Sequence, residues 1–180
     1  MMTDQEVAAR IGLHEVRTLR AVRRVESNGH PDAVRFEPHV FRHMTKHAYD
    51  QFIPYTPSNA AGTGPSHVRA ETDRHAFEIA FFYDEAAAVR STSWGAYQEL
   101  GSILLDLNKA WSPSDAVHAF DYDPTGISEQ LIIKWFEYCP RAVAALNNHD
   151  WYSFARWYNG PGNASHYADA LRGAYEAVSG

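Results

Sequence analysis

Cysteine is nearly absent. Cys139 is the sole one in 180 residues, so no internal disulfide can form and no cysteine-based zinc site exists. Cys139 reads as a small apolar residue. Long apolar runs are missing too. None approaches the roughly 18 residues of a membrane span, so no membrane insertion is expected. Positive charge is scarce: 16 Lys and Arg face 22 Asp and Glu, a net charge of −6 with His neutral. Phosphate contacts need clustered Lys and Arg, which argues against nucleic acid as a partner. Repeats and low-complexity tracts are also lacking. The opening "MMTDQEVAARIG" has neither a basic n-region nor an apolar h-region. It does not read as a signal peptide, so synthesis in the cytoplasm is expected.

What is present suits one domain over residues 1–180. Apolar residues make up 45% and charged residues 21%, an ordinary globular balance with enough chain for a sizeable core. Most of the sequence reads as helix. Thr3 or Asp4 can cap a helix over 4–11 that Gly12 stops. A second helix follows over about 13–27. Residues 28–42, "NGHPDAVRFEPHVFR", break the helical period. Their β-prone residues, interrupted by Pro38, predict one or two short strands and then a helix near 41–52. "PYTPSNAAGTGPS", 54–66, is a long Pro- and Gly-rich loop. Helices are expected over 68–83, over 84–91 with Asp84 as cap, and over about 96–108. Ser112-Pro113 opens another. "ISEQLIIKWFEYC", 127–139, predicts the central core helix. Asp150 caps "DWYSFARWYN", Gly160-Pro161-Gly162 ends it, and a last helix runs to about 178.

Glu26 is the strongest candidate for chemistry. On a wheel of 100° per residue it lies within about 60° of Leu19 and Val22, so an apolar stripe ends in a carboxylate. The polar "SNG" turn follows at once. A carboxyl half-buried there loses water around its charged form, and its pKa rises. A proton held near neutral pH suits a general acid. The alternative is a helix-end glutamate paired to Arg20 or Arg23. "STSWGAYQELG", 91–101, predicts Ser93, Trp94, Gly95 and Gln98 at the start of a helix. Gly95 would admit a ligand to the backbone, and Gln98 offers both donor and acceptor. "RWYNGPG", 156–162, places aromatic and amide groups before a turn, as sugar recognition needs.

"RRVESNG", "FEPHVF", "STSWGAYQELG" and "DWYSFARWYNGPG" occur in the order and approximate spacing of a known family. The chain resembles the phage-type N-acetylmuramidases, peptidoglycan-cleaving endolysins, from about residue 7 to 178. The resemblance implies a mainly α (α+β), lysozyme-like helical domain with a short, trimmed β region near residues 28–40. It implies hydrolysis of the β-1,4 bond between N-acetylmuramic acid and N-acetylglucosamine, without cofactor or metal. By the same resemblance Glu26 is the general acid and Glu37 a second glutamate implicated in activity. Asp50 stands behind Glu37 as an alternative second carboxylate. Ser93, Trp94, Gly95 and Gln98 line the sugar cleft, with Tyr158, Asn159 and Gly160 from the C-terminal motif. Two departures from the family pattern stand out: Pro38 replaces an arginine, and Glu99 stands where an apolar residue is usual.

Peptidoglycan glycan strands are therefore the expected partner, and a monomer the default state. Action on the wall would follow holin-type release, or the protein would be a virion or tail component. Other readings are a lytic transglycosylase giving 1,6-anhydro products and a non-catalytic glycan-binding protein. "VAARIGLHEVRTLRAV" has a helix-turn-helix look, but the acidic balance weakens a DNA-binding reading. His39, His43 and His47 would share a face if that stretch were helical, yet no H-E-x-x-H pattern accompanies them.

Overall fold

The computed structural model describes residues 1–59 and 68–178. Helices α1 (Asp4–Ile11) and α2 (Val16–Ser27) lead into strand β1 (Val34–Phe36) and helix α3 (Pro38–Met44). Two-residue strands β2 (Pro54–Tyr55) and β3 (Val68–Arg69) precede α4 (Asp73–Tyr83) and α5 (Glu85–Arg90). Next come β4 (Thr92–Trp94), β5 (Glu99–Leu100), α6 (Gly101–Leu107) and α7 (Pro113–Tyr122). Helices α8 (Pro124–Tyr138), α9 (Arg141–Asn147), α10 (Trp151–Tyr158) and α11 (Ala164–Ala177) complete the chain.

Local chemistry sets most helix starts. The Thr3 hydroxyl accepts from the Glu6 amide while the Glu6 carboxylate accepts from the Thr3 amide, a reciprocal cap. Ser112 and Asp115 repeat that arrangement at α7, with Pro113 in the first turn. Asp84, Asp123 and Asp150 cap α5, α8 and α10. Each satisfies an amide that would otherwise lack a partner.

The apolar residues form two clusters. In one, Leu19 and Val22 of α2 meet Ile132 and Phe136 of α8, Phe154 of α10 and Leu171 of α11. In the other, Phe36, Phe41, Phe77, Trp94, Leu104 and Phe120 gather around Leu131 of α8. Helix α8 is thus common to both, and its Trp135 touches each. A small antiparallel sheet of order β1-β4-β5 edges the second cluster. Its register sets Val34 opposite Trp94 and Ser93 opposite Leu100.

Several sequence expectations need correction. The helix expected over 96–108 begins only at Gly101. Residues 92–100 form a hairpin instead, because Gly95 (φ +75°) and Gln98 (φ +54°) are left-handed and the Gln98 amide donates to the Gly95 carbonyl at 3.1 Å. The β region therefore extends well beyond residues 28–40. The helix expected over 41–52 is instead α3. Pro38 sits in its first turn, where a missing N–H costs nothing, and left-handed Lys46 and His47 follow its end. His47 is off the helix and bonds Asp50 at 2.9 Å, so the three histidines do not share a face. Helix α4 starts at Asp73, not 68, with Thr72 as its cap. Helix α9 was not anticipated. Residues 60–66 of the expected loop lie outside the described residues.

Candidate active site

Helix α2 ends on the sequence "ESNG" for a geometric reason. Asn28 and Gly29 are both left-handed, at φ +54° and +89°, and their amides bond back to Arg24 and Arg23 carbonyls. The Ser27 hydroxyl donates to the Ala96 carbonyl at 2.8 Å, tying the helix end to the β4–β5 turn. Glu26 is thereby set at the lip between the two clusters, on the helix end where the backbone dipole disfavours negative charge.

A groove of about 440 Å³ opens there. It is lined by Glu26 of α2, Arg35 of β1, Glu37, and His39 and Val40 of α3, with Ser93, Gln98 and Leu100 from the hairpin and Tyr158 and Asn159 from the end of α10. A larger hollow of about 570 Å³ lies beside Arg74 and Asp121. Those two charges are already paired at 2.7 Å, whereas the smaller groove holds carboxyls of altered acidity.

Burial raises the Glu26 pKa from 4.5 to about 7, against the opposing effects of the Tyr167 hydroxyl and the Arg35 charge. Tyr167, on the buried stripe of α11, donates to Glu26 Oε1. Arg20 and Arg23 do not reach Glu26; both pair with Asp4, at 2.9 and 2.8 Å. Burial also raises the Glu37 pKa, with Asp73 adding to it and Arg35 and His39 opposing. Arg35 Nε lies 3.0 Å and His39 Nδ1 3.8 Å from the Glu37 carboxylate oxygens. Asp50 is outside the groove, bonded to His47 and 3.8 Å from Arg42 Nε.

The other expected cleft residues divide. Ser93, Gln98, Tyr158 and Asn159 do line the groove. Gln98 Nε2 donates to the Gly95 carbonyl at 3.0 Å. Trp94 does not line it. It is fully buried between Phe77 and Phe120, with Nε1 donating to the Val89 carbonyl at 3.2 Å. Trp94 and Ser93 are adjacent on a strand, so they point to opposite faces. Gly95 is close to the Ser128 side chain rather than to a ligand: a Cβ would lie 2.1 Å from Ser128 Oγ. Gly160 is a left-handed turn residue after α10 and is not on the groove wall.

Three groups in or near the groove were not singled out for the site from sequence. Arg35 looked like one polar residue of a short strand. Tyr167 falls on a buried i, i+3, i+4, i+7 stripe with Ala164, Ala168 and Leu171. A tyrosine on such a stripe needs a partner for its hydroxyl, and that was the available signal. Glu99 is only 4% exposed, and its Oε1 lies 2.8 Å from the Tyr158 hydroxyl. Burial, and then the nearby Glu26 charge, hold its pKa well above 4.5. Among the described residues no cluster of His, Cys, Asp and Glu is arranged to hold a metal, and no helix is long and apolar enough to cross a membrane.

No curated protein matches the chain. Four chains of solved structure do. One is described as the crystal structure of Burkholderia AP3 phage endolysin. It superposes with a TM-score of 0.65 at 24% identity, over 98% of this chain and 70% of that one. This likeness establishes the mainly α, lysozyme-like fold. A family model described as Muramidase, N-acetylmuramidase, matches residues 15–179. The chain accordingly belongs to the N-acetylmuramidase family, and is a glycoside hydrolase of the lysozyme type that acts on peptidoglycan.

Proposed function

We propose that the protein cleaves the β-1,4 bond between N-acetylmuramic acid and N-acetylglucosamine, with Glu26 as general acid. The observation that carries this is the Glu26 carboxyl on the groove wall, raised to about 7. At neutral pH about half of such molecules hold a proton to donate, whereas an ordinary glutamate would hold almost none. As the leaving oxygen is protonated, the sugar takes on oxocarbenium character. The Tyr167 hydroxyl on Glu26 Oε1 leaves Oε2 as the oxygen that hands over the proton. It also steadies the carboxylate left behind.

Glu37 serves as the second carboxylate of the groove. Arg35 and His39 hold its position and favour its charged form. It acts there as base toward water or as nucleophile toward the anomeric carbon. The Ser93 hydroxyl, the Gln98 carbonyl, the Asn159 amide and the Tyr158 phenol supply sugar contacts. The chain acts on glycan strands of the wall as one catalytic domain, reaching them by release through a membrane lesion or as part of a virion.

Digestion of purified sacculi tests this reading. Reducing muropeptide ends, identified by mass, are expected from the wild type and absent with Glu26→Gln. Undiminished lysis by that variant would reject Glu26. Anhydro ends would instead indicate attack by the substrate's own 6-hydroxyl, with no need of Glu37.

A further inference from the structure

Glu99 is a buried carboxyl that the scheme above does not use. It lies on β5, 4% exposed, behind the groove rather than in it. Its polar contact is the Tyr158 hydroxyl, 2.8 Å from Oε1. Among the described residues no Arg or Lys is paired with it. The groups that bear on its charge are Tyr158 from α10 and Glu26 from α2.

The hydrogen count at Tyr158 decides what Glu99 is. A phenol carries one hydrogen and two lone pairs. The Tyr158 hydroxyl is close to two oxygens, the Tyr97 carbonyl and Glu99 Oε1. A backbone carbonyl has no hydrogen to give, so the phenol hydrogen goes to Tyr97. The hydrogen in the Glu99 contact then comes from Glu99. We propose that Glu99 is a positioning residue of the reaction: a buried carboxylic acid that donates to the Tyr158 oxygen and fixes that phenol beside Glu26. This inference rests on the reading of Glu26 as general acid.

Two consequences follow for the groove. With one hydrogen given to Tyr97 and one lone pair filled by Glu99, Tyr158 has one lone pair left. It presents an acceptor to the groove, suited to a sugar hydroxyl and unsuited to another acceptor. The ring is held from behind by Trp135, 4.6 Å away edge-on, and stacks near Tyr167 at 6.2 Å. The Glu26 charge also bears on Glu99. Glu26 lines the groove, and Arg35 and the Tyr167 hydroxyl favour its ionisation, whereas Glu99 has no cation paired with it among the described residues. Once Glu26 is charged, it holds the proton on Glu99. The Tyr158 anchor therefore persists through the catalytic pH range.

Infrared spectroscopy and kinetics test the proposal together. The wild type minus Glu99→Gln difference spectrum is expected to show a protonated-carboxyl C=O band. That band should persist well above the Glu26 midpoint. Glu99→Leu, which has no donor, is expected to lower kcat about ten- to a hundredfold with a smaller change in KM, because the phenol is misplaced. Glu99→Gln supplies an N–H in place of the O–H and is expected to recover most of that loss. A carboxylate band at neutral pH, a Gln variant as impaired as Leu, or a Leu variant as active as wild type would each overturn it. If Glu99→Leu fails to fold, the infrared band decides alone. The band needs no turnover, so it separates this inference from the role of Glu26: lysis by Glu26→Gln would reject that role and leave the Glu99 band in place.

Discussion

Glu26 gives two tests, one on its own carboxyl and one on the Tyr167 hydroxyl that bonds it. The fold favours the protonated acid, since its pKa is about 7 in the protein against 4.5 when free. That preference stabilises the protein fully below about pH 4.5 and is lost as pH rises through 7, a loss of as much as about 3 kcal/mol. Glu26→Gln has no charge to desolvate. It is expected to melt at the wild-type temperature at acid pH and higher than wild type above pH 7, while lysis falls by at least about a hundredfold. A variant less stable than wild type at alkaline pH would mean that Glu26 is well solvated. Tyr167→Phe acts in the other direction. Its hydroxyl favours the ionised form, so its removal should move the alkaline limb of the rate profile to higher pH. A limb moved to lower pH, or unmoved, would count against the Tyr167–Glu26 bond.

At the scale of elements, the β4–β5 hairpin positions Ser93 and Gln98 and depends on one crowded glycine. Gly95 has φ +75°, and a Cβ there would meet Ser128 Oγ at 2.1 Å. Gly95→Ala is expected to cost about 2 kcal/mol in a denaturant melt, from strain and crowding together. A neutral effect would mean that the turn is loose. The hairpin was also the least legible element. Its strands have three and two residues, and β4 pairs with β1, a partner some sixty residues earlier in the chain. Local pattern carries no trace of such a pairing, and nothing in the type of Gln98 announces its left-handed backbone. Helices with side-chain caps were readable because the cap and the helix are contiguous: Asp84 and Asp150 cap as expected, Thr3 rather than Asp4 caps α1, and Ser112-Pro113 opens α7 as expected. Helix α9 has seven residues and no side-chain cap, and it escaped notice. Pro38 was misjudged because proline interrupts a strand and opens a helix equally well.

The whole molecule places the groove where two apolar clusters meet. Its walls come from residues near 26, 35–40, 93–100 and 158–159, brought together only by tertiary packing. Glu26 was legible because an acid on an apolar stripe is visible locally. Arg35 and Tyr167 were not linked to it because their approach is set by the path of β1 and α11. Helix α8 is shared by both clusters, so thermal unfolding is expected as a single cooperative transition; two separate transitions would mean two independent units. Trp135 touches both clusters and the Tyr158 ring. Trp135→Ala is expected to cost about 3 kcal/mol in a denaturant melt and to lower kcat as well. The central claim is that the groove keeps one acid protonated near neutrality. A titration of the Glu26 side-chain carboxyl carbon by NMR, with Glu26→Gln used to assign the signal, tests it most directly. The expected midpoint is about 7; a midpoint near 4.5, the value of a fully hydrated glutamate, would contradict it.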